Sequence, residues 1–544
     1  MGHAADATPY LQVGRSFWGW ATTTDHKKIG IMFLFTIMTF FGVAGVSALL
    51  VRLELIAPGP TFFTPHTYNV LFTLHGAVMT FLFIVPGIPS TIGNFILPMM
   101  IGAKDVAFPR LNLASFYVYL IGAMIALISL LSPADTGWTF YAPYSMRINN
   151  LVIFLTLGAF VMGFSSIMTG FNFIVTIHRM RAPGLTWGKL PLMVWSSYAT
   201  AVIQVLATPV VGMTLVLLIL ERVLDIGIFD PAKGGDPILF ENFFWFYSHP
   251  VVYIMILPAF GVIGEILPVF SKRPIFGYKA IAYSSLAIAL VSFIVWGHHL
   301  LVSGMADWSR YVFSFLTFFV AVPTAIKVFN WIATLWKGSV DYKSAPMYYA
   351  LSFVFMFTIA GLTGVHLAVL NTDVLLHDGY FVVAHFHYTM QGGTVFALMA
   401  ALHYWFPKIT GRMYNQKWAT IGFLILFFGF NLTFLPQFIL GLEGMPRRYF
   451  DYLPIYHTWH FVSTVGSWFN GGGYIIVLIN LLVCAWKGEK ASSNPWNSIS
   501  LEWQTSSPPP TTNFIEIPTF PEDVYDYGTE GRPAVAPAAE RDAG

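Results

Sequence analysis

Apolar runs of about 20 residues, the length a helix needs to cross the hydrocarbon of a bilayer, recur throughout this 544-residue chain. Twelve are legible, near 29–51, 69–100, 111–133, 150–177, 191–220, 242–270, 280–303, 309–336, 347–371, 381–405, 418–441 and 457–486. Turn-forming residues separate them, among them Ala57-Pro-Gly-Pro60, Arg181-Ala-Pro-Gly184, Gly234-Gly-Asp-Pro237 and Lys272-Arg-Pro274. Inside a membrane every backbone polar group must be satisfied within its own segment or by a closed barrel, so runs of this length read as helices. Only 10% of residues are charged, against about 25% in a soluble domain. The expectation is an all-α integral membrane protein with a twelve-transmembrane-helix bundle over 29–486. A cytoplasmic segment (1–28) precedes it and a cytoplasmic tail (487–544) follows. An even number of spans puts both termini on one side. Lys and Arg are concentrated in the loops of that side, which the positive-inside rule assigns to the cytoplasm. A net charge of +2 gives no reason to expect a nucleic-acid partner. No secretory signal is read between Met1 and Asp25. The tail turns to Pro, Ser, Glu and Asp, with Ser507-Pro-Pro-Pro510, and is expected to be extended, as a docking strip.

Against that apolar background the histidines stand out. His75 lies in span two beside Gly76, where a flat ligand could approach the backbone. His249 lies in span six, His298 and His299 in span seven, and His385 and His387 in span ten. Ionisable side chains at membrane depth are costly and mark function by default. Residues two apart on a helix turn by about 200°, so His385 and His387 face opposite sides and cannot comfortably share one metal. Imidazole suits copper and iron, and haem iron takes histidine as an axial ligand. His249, His298 and His299 fit one copper. The other three fit one haem held from both sides and a second held from one side, with an open position facing the copper.

These residues sit in motifs that resemble subunit I of the haem–copper terminal oxidases over about 25–510. The motifs are Arg52-Leu-Glu54, Thr73-Leu-His-Gly76, Ile101-Gly-Ala-Lys-Asp-Val-Ala-Phe-Pro-Arg110, Val295-Trp-Gly-His-His299, Ala321-Val-Pro-Thr-Ala-Ile-Lys327, the stretch from His377 to Tyr388, and Gly444-Met-Pro-Arg-Arg448. The resemblance implies the subunit I helix bundle and an enzyme that reduces O2 to water while pumping protons. It implies His75 and His387 on a low-spin haem, His385 on a high-spin haem, and copper on His249, His298 and His299. Tyr253, four residues after His249 and on the same helical face, matches the family's tyrosine that is joined to that histidine and supplies an electron and a proton. Arg447 and Arg448 match residues that neutralise haem propionates, and Trp138 and Tyr380 match positions near them. Arg52 matches the arginine at the formyl group of haem A. His377 and Asp378 match ligands of a magnesium or manganese ion shared with subunit II.

Proton delivery to a buried site needs polar tracks. Lys327 is a lone cation deep in span eight, with Thr324 and Thr317 on the same stripe; it resembles the family's K-pathway lysine. Asp105, Asn94, Asn112, Ser165, Ser166 and Asn172 resemble the D pathway. Two departures follow. The family's span-six glutamate is replaced by Val251, which cannot carry a proton; Tyr247 and Ser248 resemble a Tyr-Ser pair found there in some bacterial oxidases. At Gly264-Glu265, where the family often has Ser-His, Glu265 reads equally as a proton collector or a solvated helix end.

The resemblance further implies cytochrome c as electron donor, a bacterial cytoplasmic membrane location, and partner subunits II and III, with a larger respiratory supercomplex conceivable through the tail. The single cysteine, Cys484, places the dinuclear copper site of such enzymes on another chain. A quinol-oxidising relative is the alternative; Thr67 and Val70 occupy the positions of a His and a Gln used by some quinol oxidases. A nitric oxide reductase lacks counterparts of Tyr253 and Lys327. A solute transporter without redox centres gives the six histidines no work.

Overall fold

The computed structural model describes residues 8–149, 151–516, 518, 525 and 527. Among them the regular structure is helical and strand pairing is confined to three isolated bridges. We number the principal helices α1 (His26–Glu54), α2 (Pro65–Met100), α3 (Pro109–Leu131), α4 (Val152–Arg179), α5 (Leu192–Leu224), α6 (Pro237–Ser271), α7 (Tyr278–Ser292), α8 (Asp307–Leu335), α9 (Ala345–Ala368), α10 (residues 380–410), α11 (Gln416–Leu442) and α12 (Pro454–Lys487).

Ten of these are long and apolar enough to cross a membrane. The expected twelve differ at spans seven and ten, and the cause lies in their residues. Helix α7 ends at Ser292, and the remainder of its apolar run becomes a turn and a short 3-10 helix, Trp296–Leu300, carrying His298 and His299. Helix α10 continues from Tyr380 to Thr410 through a π-helical stretch, Met390–Val395. Its histidines, Gln391 and Thr394 dilute its hydropathy. Helix α2 likewise contains π-helical turns at Val78–Ile84 and Pro89–Gly93 around Pro86 and Pro89, as helices do where proline removes a backbone donor or a site demands a local bulge.

Helix α6 runs through the middle of the bundle, with its whole C-terminal half from Ile254 to Ser271 buried. Helices α11 and α12 meet closely at small residues: a Cβ on Gly473 would lie 2.6 Å from the backbone of Leu426. Ser16 caps a short helix, Phe17–Ala21, and Asp25 caps α1, each by accepting a backbone N–H bond, and Asn415 caps α11.

The described part of the tail is irregular yet docked on its own bundle. Tyr10 N donates to Pro509 O at 2.9 Å. Lys27 Nζ donates to Asn513 Oδ1 at 2.8 Å. Lys408 Nζ donates to Thr505 O at 2.7 Å, and Trp503, fully buried, donates from Nε1 to Tyr404 Oη at 3.0 Å. The expected strip thus finds a surface within this chain. Residues 528–544, also expected to be extended, lie outside the described residues, as do 1–7 of the N-terminal segment. Trp503→Ala removes the largest anchor of the tail and is expected to destabilise the protein by about 3–5 kcal/mol, seen as a lower thermal unfolding midpoint in detergent.

Candidate functional site: a histidine-walled cavity

The polar residues that shorten or bulge the helices converge on one cavity of about 1250 Å³. It is larger than the 300–1,000 Å³ typical of a site for one small ligand. All six histidines line it, together with Tyr253, Arg52, Arg447, Arg448, Trp138, Tyr380, Thr317, Thr324, His377 and Asp378.

His75 on α2 and His387 on α10 face each other with parallel rings, centroids 6.3 Å apart and planes 9° apart. Two imidazoles each bonded at roughly 2 Å, the usual metal–imidazole length, to an atom between them have ring centres about this far apart. Their Nδ1 atoms are occupied: His75 meets Ala44 O at 3.0 Å and His387 meets Val383 O at 2.8 Å. Such a bond fixes the tautomer and leaves Nε2 as a ligand atom. His385 points the other way, with Nδ1 against Thr363 Oγ1 at 3.0 Å on α9. The helix therefore stands as a wall between the two histidines, with Phe386 lining the cavity between them.

His249, His298 and His299 each offer one nitrogen within 4.8 Å of the others, the one such set of three among the described residues. His249 Nδ1 lies 3.4 Å from His299 Nε2, a spacing two ligands of one metal adopt. His298 Nδ1 meets Thr317 Oγ1 at 3.0 Å. The Tyr253 ring is 4.8 Å from that of His249, and His249 Nε2 is buried without a partner among the described residues. Three imidazole nitrogens converging within 4.8 Å fit a copper-sized cation.

At the outer rim, Arg447 N donates to Asp378 O at 2.8 Å and its guanidinium lies 3.6 Å from the Asp378 carboxylate. Burial, then the like charge of Arg448, pushes the Arg447 pKa down to about 10. Two adjacent guanidiniums with one largely exposed aspartate call for further anionic charge, which fits carboxylate-bearing haem. His377 and Asp378 belong to no set of three ligand residues among the described residues, and His377 Nδ1 meets Asp373 Oδ2 at 3.1 Å. Burial lowers the His377 pKa, but this bond and the Asp373 charge outweigh it and the net shift is upward. Arg52 is held by His460 O at 2.7 Å and Thr464 Oγ1 at 2.9 Å.

Gly76 lines the cavity, and a Cβ there would lie 3.1 Å from Trp138 Cδ1, so the glycine also admits the Trp138 indole. Lys327 is fully buried but does not line the cavity; its Nζ donates to Ile281 O at 2.9 Å and Ser285 Oγ at 2.7 Å on α7. Asn94 and Asn112 exchange hydrogen bonds of 3.0 and 2.8 Å. Asn172 binds both backbone groups of Phe108, at 3.0 and 3.1 Å, beside the Asp105 loop. Ser165 and Ser166 are farther along α4. Tyr247 and Ser248 are buried and do not line the cavity. Glu265 is not solvated: it is 3% exposed and accepts from Met193 N at 3.0 Å and Tyr525 Oη at 2.6 Å.

Several neighbours escaped the sequence reading. Trp245 stacks on His299 with centroids 3.5 Å apart, and Asp373 orients His377; each lies four residues before a singled-out histidine, a spacing that shares one helical face. His403 and His460 are also fully buried. His460 stacks on Tyr452 at 4.1 Å and supports Arg52, a role nothing in its flanking residues announces.

A membrane-spanning helix bundle that walls one large cavity with neutral, pre-aimed histidines defines a multi-pass redox protein. Residues 28–469 match the family described as cytochrome c and quinol oxidase polypeptide I. The chain is 42% identical to cytochrome c oxidase subunit 1 of Thermostichus vulcanus over 521 residues, covering 95% of this chain and 94% of the relative. It is 44% identical to the subunit of that name from a Synechocystis species, covering 93% and 92%. For Bacillus subtilis the identity is 40%, with coverage of 93% and 82%. A solved haem–copper terminal oxidase dimer shares the fold, with a TM-score of 0.75 and 20% identity over 85% of each chain. The chain belongs to the cytochrome c and quinol oxidase polypeptide I family, the catalytic subunit of haem–copper terminal oxidases. Membership implies haem, copper and an oxidase complex with other subunits.

Burial raises the Asp105 pKa to about 7, against about 3.9 unfolded. Between these values the folded chain holds a proton that the unfolded chain has shed. The contribution of this group to stability is therefore full below about pH 4 and falls as pH rises toward 7. Asp105→Asn is expected to flatten that fall, as read from thermal unfolding midpoints across the range.

Proposed function

We propose that this chain uses cytochrome c as its electron donor to reduce O2 to water and moves protons as it does so, through the residues that line and feed the histidine cavity. The observation that carries this reading is the pairing of two parallel histidines 6.3 Å apart with a separate three-histidine cluster on one cavity. His75 and His387 would hold a low-spin haem, His385 a high-spin haem, and His249, His298 and His299 copper. When bound, haem and copper supply the electrons and the place where O2 is reduced.

The chain's own residues prepare that place. Backbone carbonyls and threonine hydroxyls hold the imidazoles in one tautomer. Trp245 and Phe434 clamp His299 and His387 by stacking. Arg447 and Arg448 meet haem carboxylates as charge-assisted donors, with Trp138 and Tyr380 beside them. Arg52 lines the same cavity and would meet a formyl group of the low-spin haem, and both haems are read as haem A. Tyr253 holds a transferable proton at Oη beside His249. Lys327, Thr324 and Thr317 supply protons toward it, and Asp105, Asn94, Asn112, Asn172, Ser165 and Ser166 form the other route, with Tyr247 and Ser248 standing in for the carboxylate that Val251 lacks. His377 and Asp378 hold magnesium or manganese with subunit II, which also carries the dinuclear copper site. Subunit III completes the core, and the tail offers a contact to a larger respiratory assembly. In this reading α7 and α10 also span, giving twelve helices over 29–486 between the 1–28 segment and the 487–544 tail. Both termini are cytoplasmic, in a bacterial cytoplasmic membrane.

Dithionite-reduced minus air-oxidised spectra, with and without carbon monoxide, test this. Two haem A signals are expected, one of which binds carbon monoxide; a preparation of the folded complex with no haem signal refutes the reading. His387→Ala should lose the low-spin bands, and Lys327→Met should lower steady-state O2 consumption more than tenfold with the spectrum intact.

A further inference from the structure

The face of α5 that packs into the bundle carries a polar residue at every fourth position: Ser196, Thr200, Gln204 and Thr208, all buried. Residues at this spacing share a helical face. In the cytoplasmic half the stripe is satisfied locally, Thr200 Oγ1 donating to Ser196 O at 2.8 Å. Higher up it is not. Gln204 Oε1 and Thr208 Oγ1 are buried without hydrogen-bond partners among the described residues, and so are Ser166 Oγ on α4 and Ser248 Oγ on α6.

Three of these orphaned atoms, on α4 and α5, come together. Against α4, a Cβ on Gly170 would come 3.1 Å from Gln204 Oε1, and a Cβ on Gly163 would come 3.1 Å from Thr208 Cγ2. Ser166 shares that α4 face and sits between the two glycines, so it stands level with the step from Gln204 to Thr208. Against α6, a Cβ on Gly261 would come 3.1 Å from Ser196 Cβ, and Met193 N donates to Glu265 Oε1 at 3.0 Å. Thr208 is twelve residues beyond Ser196, and Ser248 thirteen residues from Gly261 in the antiparallel partner. At 1.5 Å rise per residue the two arrive at the same height, although thirteen residues turn α6 by about 220°, so Ser248 shares the level of the α4–α5 group rather than its side.

An unpaired buried polar atom bears its whole desolvation cost, and sites with several such atoms hold ordered water. We propose that Ser166, Gln204 and Thr208 form a water-binding node between α4 and α5 that carries protons from the Asn94–Asn112 side toward Ser248 and His249, in the place of the carboxylate absent at Val251. The inference rests on the proposed oxidase function and adds Gln204 and Thr208 to its proton route. Each hydroxyl or water accepts one proton on oxygen and releases the one it held, so one proton advances and nothing is oxidised or reduced. Gln204 is a positioning residue: its carbonyl accepts from a water and fixes that water between hydroxyls.

The test uses the purified oxidase complex with Gln204→Leu, Thr208→Val and the pair combined, beside Thr208→Ser. The expected result is haem spectra and carbon monoxide binding equal to the parent. O2 consumption by the double variant is expected to fall about tenfold, with a larger solvent isotope effect and matching loss of proton uptake in vesicles. Thr208→Ser should keep the parent rate. Turnover, isotope effect and proton uptake of the double variant all within twofold of the parent overturn the node. If the double variant fails to assemble, a high-resolution density map of the parent decides: ordered water between Ser166, Gln204 and Thr208 supports the node, and a dry site overturns it. A parent without haem refutes the oxidase reading instead, a different result from a failed node.

Discussion

Neutral imidazole in an apolar bundle is the constraint on which this structure turns. Each ring that faces the cavity would leave two polar nitrogens unsatisfied, and burial makes that expensive. The chain answers by giving one nitrogen a partner close at hand: a backbone carbonyl for His75 and His387, a threonine hydroxyl for His298 and His385. The second nitrogen is left pointing into shared space, where only a metal or another donor can satisfy it. The breaks in helical regularity follow from the same demand. The end of α7 at Ser292 and the π-helical stretch in α10 bring side chains inward where uninterrupted helices would carry them past the cavity.

Proton supply imposes the second constraint. In the proposed function, a cavity lined by aromatic and aliphatic side chains takes its protons through hydroxyls, amides and the buried Lys327 threaded between helices. Lys327 is tolerated because Ser285 and the Ile281 carbonyl receive it. Asn94 and Asn112 are tolerated because they satisfy each other. Where such closure is missing, as at Ser166 and Ser248, the structure asks for solvent.

The sequence disclosed the bundle and the six histidines because hydropathy and the cost of polar groups act residue by residue. Trp245 and Asp373 were legible in principle from their four-residue spacing to His249 and His377. The roles of His460 behind Arg52, of Gly76 as room for Trp138, and of Tyr525 over Glu265 were not. Each depends on a partner that is distant in the chain, and no local pattern encodes it. The shortfall from twelve to ten clear spans also falls on site-bearing segments, since α7 stops at Ser292 before its two histidines and polar residues dilute the hydropathy of α10.

Helix α8 joins two of these themes in one rigid body. Thr317, which fixes His298, and Lys327, which reaches α7, lie ten residues apart on it, about 15 Å along the axis. The orientation of a metal-facing imidazole and the seat of a buried cation are therefore set by the same rod. In the proposed function, a small slide or rotation of α8 would alter both at once, gearing proton arrival to the geometry of the histidine cluster.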